Sequence, residues 1–453
     1  MKLKLHDYQT RAISFGLENK QCFFALDAGL GKTAIMLNII KRSKERFLVI
    51  APLRVALYSW PAEIEKWTPD LSYIVIHGKD KIKNLAKGSD ITLLPYSQIK
   101  FFYNYLVDHA GKKNLPVNIN ICFDESSFLK AAQTKRFKML KQIVKELFKK
   151  MRFCLSATPA PESLFNLWSQ YFLLDNSILG KSQNKFLSKY YNNVGRDYPI
   201  LVMKTGADEQ IQELIKPATF CLQAEDYLKM PDLIENKIYL QFKTKEKKLY
   251  DKLQKDYFLK INDKPIEAMN TAALSMKLRQ FLQGCLYTDE DGNYEKINTT
   301  KLDALSEFIE GNAGNPVMVV VNFKFETKEI RKKFGQDTPA LIGGVSSEET
   351  AGIIKAWNSR ELPLLLVHPA AVSHGLNLQS GGSNILFYCQ TWSSEQKYQL
   401  IRRLYRQGQQ ADKVIVHYLL VKDTIDDMVF NAVQKKQDVQ QTLIDYLKEV
   451  KCQ

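Results

Sequence analysis

The run Leu26-Asp27-Ala28-Gly29-Leu30-Gly31-Lys32-Thr33 constrains this chain more than any other feature. It follows a short apolar stretch, residues 22–26, and leads into Ala34, Met36, Leu37, Ile39 and Ile40, spaced as one face of an amphipathic helix. Strand, glycine loop and helix in that order bring backbone N–H groups and a helix N-terminus around an anion. In such a loop Lys32 reaches the terminal phosphates of a nucleoside triphosphate, and the Thr33 hydroxyl is placed for Mg²⁺. The full phosphate-loop pattern carries a glycine where this chain has Leu26, so the match is to the GLGKT core in its setting. A glycine-rich turn is the bland alternative.

A loop of this kind belongs to an open parallel sheet, and the first half of the chain supplies one. Apolar runs at 22–26, 47–51, 73–76, 91–94, 119–123 and 153–156 are mostly unalternated, as strands buried on both faces should be. Helix-like stretches separate them, which predicts βαβ units. The pattern breaks between residues 183 and 263, where Pro217 and Pro231 punctuate sequence without strand periodicity. New runs follow at 317–322, 364–367, 385–388 and 414–419. With 453 residues, 45% of them hydrophobic, the expectation is two α/β domains, 1–225 and 226–453, the second with a helical lead-in.

Composition narrows the partners. Lys plus Arg number 64 against 49 Asp plus Glu, a net charge of +15, which favours a polyanion and equally suits a basic solvated surface. The seven cysteines are scattered with no CxxC spacing, which argues against a zinc site or a disulfide framework. No apolar run approaches the ~18 residues that span a bilayer, and the N-terminus lacks a signal-like stretch, so a reduced cytoplasmic compartment is expected. Residues 130–152 hold nine basic residues and one acidic residue, Glu146, with Met139, Leu140, Ile143, Val144, Leu147 and Phe148 at helical spacing. That reads as an amphipathic helix with a solvated basic face, or as a phosphate-facing rim.

Two more constellations carry chemistry. Asp124-Glu125 ends the apolar run before it, and strand C-terminal ends are where ligands gather in open α/β sheets. Beside a phosphate loop, Asp124 suits Mg²⁺ and Glu125 suits the water that attacks the γ-phosphate; alone, such a pair is often a solvent-facing turn. In the second half, Gln399, Arg403 and Arg406 would share one face of a helix at i, i+4 and i+7. An arginine presented to a transferring phosphate contributes roughly 10³–10⁵ in rate; an Arg-rich helix is otherwise surface decoration.

These elements occur in a familiar order. Leu5-His6-Asp7-Tyr8-Gln9, GLGKT, Asp124-Glu125-Ser126-Ser127, Leu155-Ser156-Ala157-Thr158-Pro159, Gly375-Leu376-Asn377-Leu378 and the QxxxRxxRxGQ segment at 399–409 follow one another as in superfamily 2 helicases. More narrowly the chain resembles the Swi/Snf-type DNA-dependent ATPases, over about residues 3–430. Trp392, Val49-Ile50-Ala51-Pro52-Leu53 with Trp60 and Trp67, Leu278-Arg279-Gln280 and Thr300-Lys301-Leu302 add secondary matches.

The resemblance implies two tandem RecA-like domains with mostly parallel sheets, ATP and Mg²⁺ bound at the cleft between them, and DNA, duplex or branched, as partner. It implies that Gln9 reads adenine, that Gly29, Gly31, Lys32, Thr33, Gly375 and Gln399 line the nucleotide, and that Thr33 and Asp124 hold the metal. Glu125, Arg403 and Arg406 would be catalytic, and Ser156 and Thr158 would couple nucleotide state to DNA contacts. Arg54, Lys130, Ser373 and Asn377 would face the nucleic acid. The activity implied is ATP-dependent DNA translocation or remodelling. A strand-separating or branch-migrating helicase and a nucleotide-switched DNA clamp are the alternatives, and a replication, recombination or repair partner protein remains open. Two departures stand out: the acidic motif ends Ser-Ser where His is common, and Val372-Ser373-His374 replaces a glycine-rich stretch, His374 being either a contact residue or a loop histidine. With no appended chromatin module, the chain resembles the minimal phage and bacterial members, and a phage or bacterial origin is expected.

Overall fold

The structure, a computed structural model, describes residues 4–108, 120–147, 150–195, 201–256, 258–261, 264–267, 270–312, 314–372 and 376–448. The chain divides into two compact units, one of residues 1–228 with 436–453 and the other of residues 229–435.

The first unit is built on a seven-stranded sheet. Its strands are β1 (Gln21–Leu26), β2 (Phe47–Ala51), β3 (Tyr73–Val75), β4 (Ile91–Pro95), β5 (Asn120–Asp124), β6 (Arg152–Ser156) and β9 (Thr219–Leu222), in the order β3-β4-β2-β5-β6-β1-β9. Every pairing is parallel. β7 (Tyr191–Asn193) and β8 (Leu201–Met203) form a separate antiparallel pair. Parallel neighbours require crossovers, and helices α2 (Lys32–Ser43) and α3 (Trp60–Trp67) supply the first of them, while α1 (Asp7–Asn19) leads into β1. β2 and β5 are buried at every position; β2 accordingly reads as an unbroken apolar run, and β5 carries Ile121, Cys122 and Phe123 between a buried Asn120 and Asp124. β9, like β7, β8 and the second unit's strand Asp232–Leu240, was not anticipated by the sequence reading. β9 lies inside the stretch taken as strandless, four buried residues two positions behind Pro217, and adds to the sheet edge beside β1.

The second unit repeats the plan with six strands, all parallel: β10 (Asp232–Leu240), β15 (Val317–Val320), β16 (Ala340–Leu341), β17 (Leu364–Val367), β18 (Asn384–Phe387) and β19 (Lys413–Val421), in the order β10-β19-β18-β15-β17-β16. Two hairpins, β11 (Phe258–Ile261) with β12 (Lys264–Glu267) and β13 (Cys285–Tyr287) with β14 (Tyr294–Lys296), are inserted before β15. Each unit is thus a doubly wound α/β sheet, the architecture that the resemblance implied.

The basic stretch forms the helix Lys135–Leu147. Phe137, Leu140, Ile143 and Val144 are buried while Lys135, Lys138 and Lys141 are exposed; Phe148 lies outside the described residues. Among the described residues no helix is long and apolar enough to cross a membrane.

Candidate nucleotide site

The register of the first sheet assembles the site. β1 pairs Ala25 with Ser156 of β6, and β6 pairs Leu155 with Asp124 of β5. Three neighbouring strands therefore end together and deliver the glycine loop, Ser156 and the Asp124-Glu125 pair to one edge of the sheet, the edge at which open α/β sheets bind ligands.

The loop leaves β1 at Leu26 and enters α2 at Lys32. Gly29 and Gly31 both adopt left-handed backbone, φ 90° and 77°. A Cβ on Gly31 would in addition meet the Gln9 side-chain amide and displace it. Helix α2 starts on Gly31 with no side chain capping its first turn, so its leading amides face the loop as anion donors. Lys32 curls back, its Nζ donating to the carbonyls of Leu26 at 2.8 Å and Asp27 at 3.3 Å. Uncapped amides, two left-handed glycines and a lysine are the donor set a triphosphate needs, so the loop fits the nucleotide. Thr33, half-buried behind it, and Asp124 are the oxygen donors suited to Mg²⁺.

Asp124 is almost wholly buried and closely held. One oxygen, Oδ2, accepts the indole N–H of Trp60 at 2.8 Å; the other, Oδ1, accepts the Glu125 backbone N–H at 3.0 Å. Burial, reinforced by the Glu125 charge, pushes its carboxyl up to about 6, while the Trp60 bond and the nearby Lys32 charge pull it down. The Lys32 contribution places the ammonium and the acidic pair in one electrostatic neighbourhood. Glu125 sits at φ 51°, an uncommon conformation for a side chain of its size, and starts the tight turn Ser126–Leu129. Tyr96 ties down the same strand end, its hydroxyl donating to the Asp124 carbonyl at 3.0 Å.

A second hydrogen-bond chain links that turn to the segment after β6. Ser126 Oγ donates to Gln170 Oε1 at 2.7 Å, and Gln170 Nε2 donates to the Pro159 carbonyl at 2.7 Å and the Asn166 carbonyl at 2.9 Å. Ser156 Oγ accepts the Thr158 N–H at 3.0 Å, and the buried Thr158 hydroxyl makes no hydrogen bond. Gln9, also buried, receives the His6 N–H on Oε1 at 2.9 Å and donates from Nε2 to the Leu30 carbonyl at 3.2 Å. Trp60, Tyr96 and Gln170 escaped the sequence reading as site residues; Trp60 alone had a signal there, as a secondary family match.

Other predicted positions in the first unit are placed as follows. Arg54 is half-buried at the start of the π-helix Val55–Ser59. Lys130 pairs with Glu162 at 2.9 Å.

In the second unit the expected helix through Gln399, Arg403 and Arg406 is corrected. The helix Ser394–Ile401 stops before both arginines, and tight turns carry the chain onward, with Arg403 N–H donating to the Leu400 carbonyl and Leu404 N–H to the Ile401 carbonyl. The Arg403 side chain takes up carbonyls there, donating from Nε to Gln399 O at 3.2 Å and from Nη1 to Leu376 O at 3.1 Å. Arg406 Nη1 donates to Asn377 Oδ1 at 2.6 Å, its Nε makes no hydrogen bond, and burial lowers its pKa from the ordinary arginine value. Gln399, buried, donates to Glu395 at 3.5 Å. The segment 376–377 and the arginine turn are thus brought together by hydrogen bonds, not by a shared helix face. Ser373, His374 and Gly375 lie outside the described residues.

Comparison with known proteins identifies the family. The SNF2-related domain profile matches residues 8–288 and the helicase conserved C-terminal domain profile residues 300–408. The chain is 29% identical to protein p41 of Acyrthosiphon pisum secondary endosymbiont phage 1 over 97% of this chain and 98% of that protein. It is 27% identical to YwqA of Bacillus subtilis, named for an ATP-dependent helicase/translocase, over 92% of this chain and 46% of that protein, so it spans about half the length of this bacterial relative. Among solved structures it is similar to the Sulfolobus solfataricus SWI2/SNF2 ATPase core in complex with dsDNA, at 24% identity and a TM-score of 0.45 over 100% of this chain and 96% of that one. With more than half of its length matched by one profile, the chain belongs to the SNF2-related family of helicase-like, DNA-dependent ATPases.

Proposed function

We propose that this chain is an ATP-driven motor that moves along duplex DNA. The observation that carries the reading is the meeting, at one sheet edge, of a phosphate loop with a buried aspartate in the field of Lys32 and a glutamate beside it. A clamp that merely opens and closes on nucleotide has no need of a carboxylate to activate water, whereas a motor must hydrolyse ATP in every step.

In this reading the loop amides of Gly29 and Gly31 and the Lys32 ammonium hold the phosphates, and Gln9 reads the base. Thr33 and Asp124 would hold Mg²⁺, which when bound neutralises phosphate charge. Glu125 takes the proton of the attacking water. Gln399 and Gly375 complete the nucleotide contacts, and Arg403 and Arg406 neutralise charge on the transferring phosphate, which requires Arg406 to exchange its Asn377 partner for phosphate. Ser156 and Thr158 pass the nucleotide state to the DNA grip. Arg54, Lys130, Ser373 and Asn377 meet the DNA backbone, with Lys130 trading Glu162 for a DNA phosphate. The net charge of +15 supports a grip that is salt-dependent and largely blind to sequence.

The test is steady-state ATPase activity with no nucleic acid, single-stranded DNA, plain duplex, forked or four-way DNA, and RNA. Stimulation by plain duplex is the expected result. Stimulation confined to single-stranded or branched DNA would replace this reading with a strand-separating or branch-migrating helicase.

A further inference from the structure

Residues 223–228, which end the first segment of the first unit, are laced to the phosphate loop, a connection the catalytic chemistry does not require. Asp27 is the knot. Its N–H donates to the Leu222 carbonyl at 3.2 Å, its buried Oδ2 accepts the Ala224 N–H at 3.0 Å, and its own carbonyl accepts the Lys32 ammonium at 3.3 Å. One residue thus holds the phosphate-loop lysine on one side and this peptide on the other. A tight turn, with Leu228 N–H donating to the Ala224 carbonyl at 2.8 Å, brings Leu228 over the loop, where its Cδ1 stands 3.9 Å from the place a Cβ on Gly29 would occupy.

The same turn swings Tyr227 onto helix α1. Its ring lies 5.0 Å from that of Tyr8, the neighbour of the base-reading Gln9, and Tyr8 is stacked in turn on His6 at 5.3 Å. The Arg11 guanidinium lies 5.9 Å from the Tyr227 ring centre and donates to its hydroxyl at 3.3 Å. Tyr227 is 40% exposed, an aromatic ring kept at the surface by these contacts and not by a core. The next residue, Lys229, begins the second unit.

We propose that residues 224–228 are a strap that positions the nucleotide loop, with Asp27 as its anchor and Tyr227 as its latch on helix α1. The strap presets the loop and the Gln9 segment for ATP, and nucleotide occupancy tightens it, so the peptide leading into the second unit registers whether ATP is bound. Asp27 and Tyr227 are positioning residues, and the inference rests on the nucleotide-binding reading of the loop.

The test uses the full chain as wild type and as Tyr227→Ala, Tyr227→Phe, Asp27→Ala, Asp27→Asn and Lys32→Ala. Fluorescent mant-ATP affinity, ATPase kcat and KM, the melting temperature, and hydrogen exchange of residues 223–228 with and without ADP are measured. Tyr227→Ala weakens mant-ATP binding and raises KM about tenfold, the equivalent of about 1.4 kcal/mol, with kcat within about twofold of wild type. Tyr227→Phe keeps the ring contact and stays within about twofold throughout. Asp27→Ala loses affinity by about tenfold or more, and Asp27→Asn, whose amide oxygen still accepts the Ala224 N–H, recovers most of it. ADP slows exchange in the strap of the wild type and not of Tyr227→Ala.

Wild-type affinity in Tyr227→Ala, an equal defect in Tyr227→Phe, or a loss confined to kcat overturns the strap. Lys32→Ala separates the two layers: if it binds mant-ATP like wild type, the nucleotide-site reading falls and the strap with it. If it loses binding while Tyr227→Ala and Asp27→Ala keep theirs, only the strap falls.

Discussion

Lys301→Met should be among the most damaging single substitutions in the second unit. The Lys301 ammonium is fully buried and makes three contacts: Asp426 Oδ2 at 2.7 Å, the Tyr388 carbonyl at 3.0 Å, and the Gln283 amide oxygen at 3.2 Å in the amide orientation that satisfies both of its ends. Asp426, 3% exposed at its side chain, keeps one further donor, the Val421 N–H at 3.1 Å. Met fills the lysine stem but leaves the carboxylate in the core with that single hydrogen bond. Breaking a buried pair from one side costs about 3–5 kcal/mol, against a total folding stability of about 5–15 kcal/mol. Lys301→Met with Asp426→Leu removes both charges, and replacing a buried pair by apolar groups is often neutral, so the double variant should recover at least half of the loss. Urea unfolding followed by far-UV circular dichroism, run on both single variants and the double as a cycle, measures this. A loss below about 1 kcal/mol in Lys301→Met, or a double variant as unstable as the two singles summed, would refute the reasoning. The pair matters beyond stability because Tyr388 directly follows β18, whose chain runs on to the helix Ser394–Ile401 and the two arginines; ATPase activity should fall along with stability.

Glu125→Gln should retain ATP binding and stay on DNA while turnover falls by at least about 10²; wild-type turnover in a single-turnover assay would remove Glu125 from the role of base. Gln170→Leu leaves Ser126 Oγ and the Pro159 carbonyl without their shared partner, so we expect a stability loss of about 1–3 kcal/mol and a kcat decrease with little change in KM for ATP; an unchanged kcat would show that the link is structural only. Glu326 caps the helix Lys324–Phe334 by accepting the Asn322 and Phe323 N–H groups, and burial pushes its carboxyl from 4.5 up to about 7. The folded chain therefore binds the extra proton between those values, so this contribution to stability is present below pH 4.5 and is lost as pH rises through 7. Glu326→Gln removes the dependence, and relative to wild type it should be more stable at pH 8 than at pH 5 by about 3 kcal/mol; a difference independent of pH in chemical denaturation would contradict this.

The parts of the fold legible in the sequence are those whose residues are buried on both faces. β2 is apolar at every position, and β5 through its middle, because every position is covered, and the loop after β1 is readable because glycine suits its left-handed backbone. β9 was hidden because four buried residues behind a proline carry no period of their own; its strand character comes from β1 alongside. The arginine segment shows the converse failure. Its spacing suits a helix, yet Arg403 donates to the Gln399 and Leu376 carbonyls and the chain turns away at Arg402, a tertiary outcome that no local pattern encodes. The supports of the acidic pair were unreadable for a related reason: Trp60 precedes Asp124 by 64 positions and Gln170 follows Ser126 by 44, and only the sheet register brings them together. Arg279 and Lys301, known at first only as parts of short motifs, turn out to serve the same segment, Arg279 donating to the Gln390 carbonyl at 2.7 Å and Lys301 to that of Tyr388.

Triplex displacement tests the motor most directly. A third strand annealed to one end of a linear duplex is released only if a protein arrives along the duplex, so displacement reports translocation without requiring strand separation. The account predicts ATP-dependent displacement by the wild type that lags in proportion to the length of duplex leading to the triplex, and none by Lys32→Ala or Glu125→Gln. No displacement by a wild-type preparation whose ATPase is stimulated by the same duplex would contradict it.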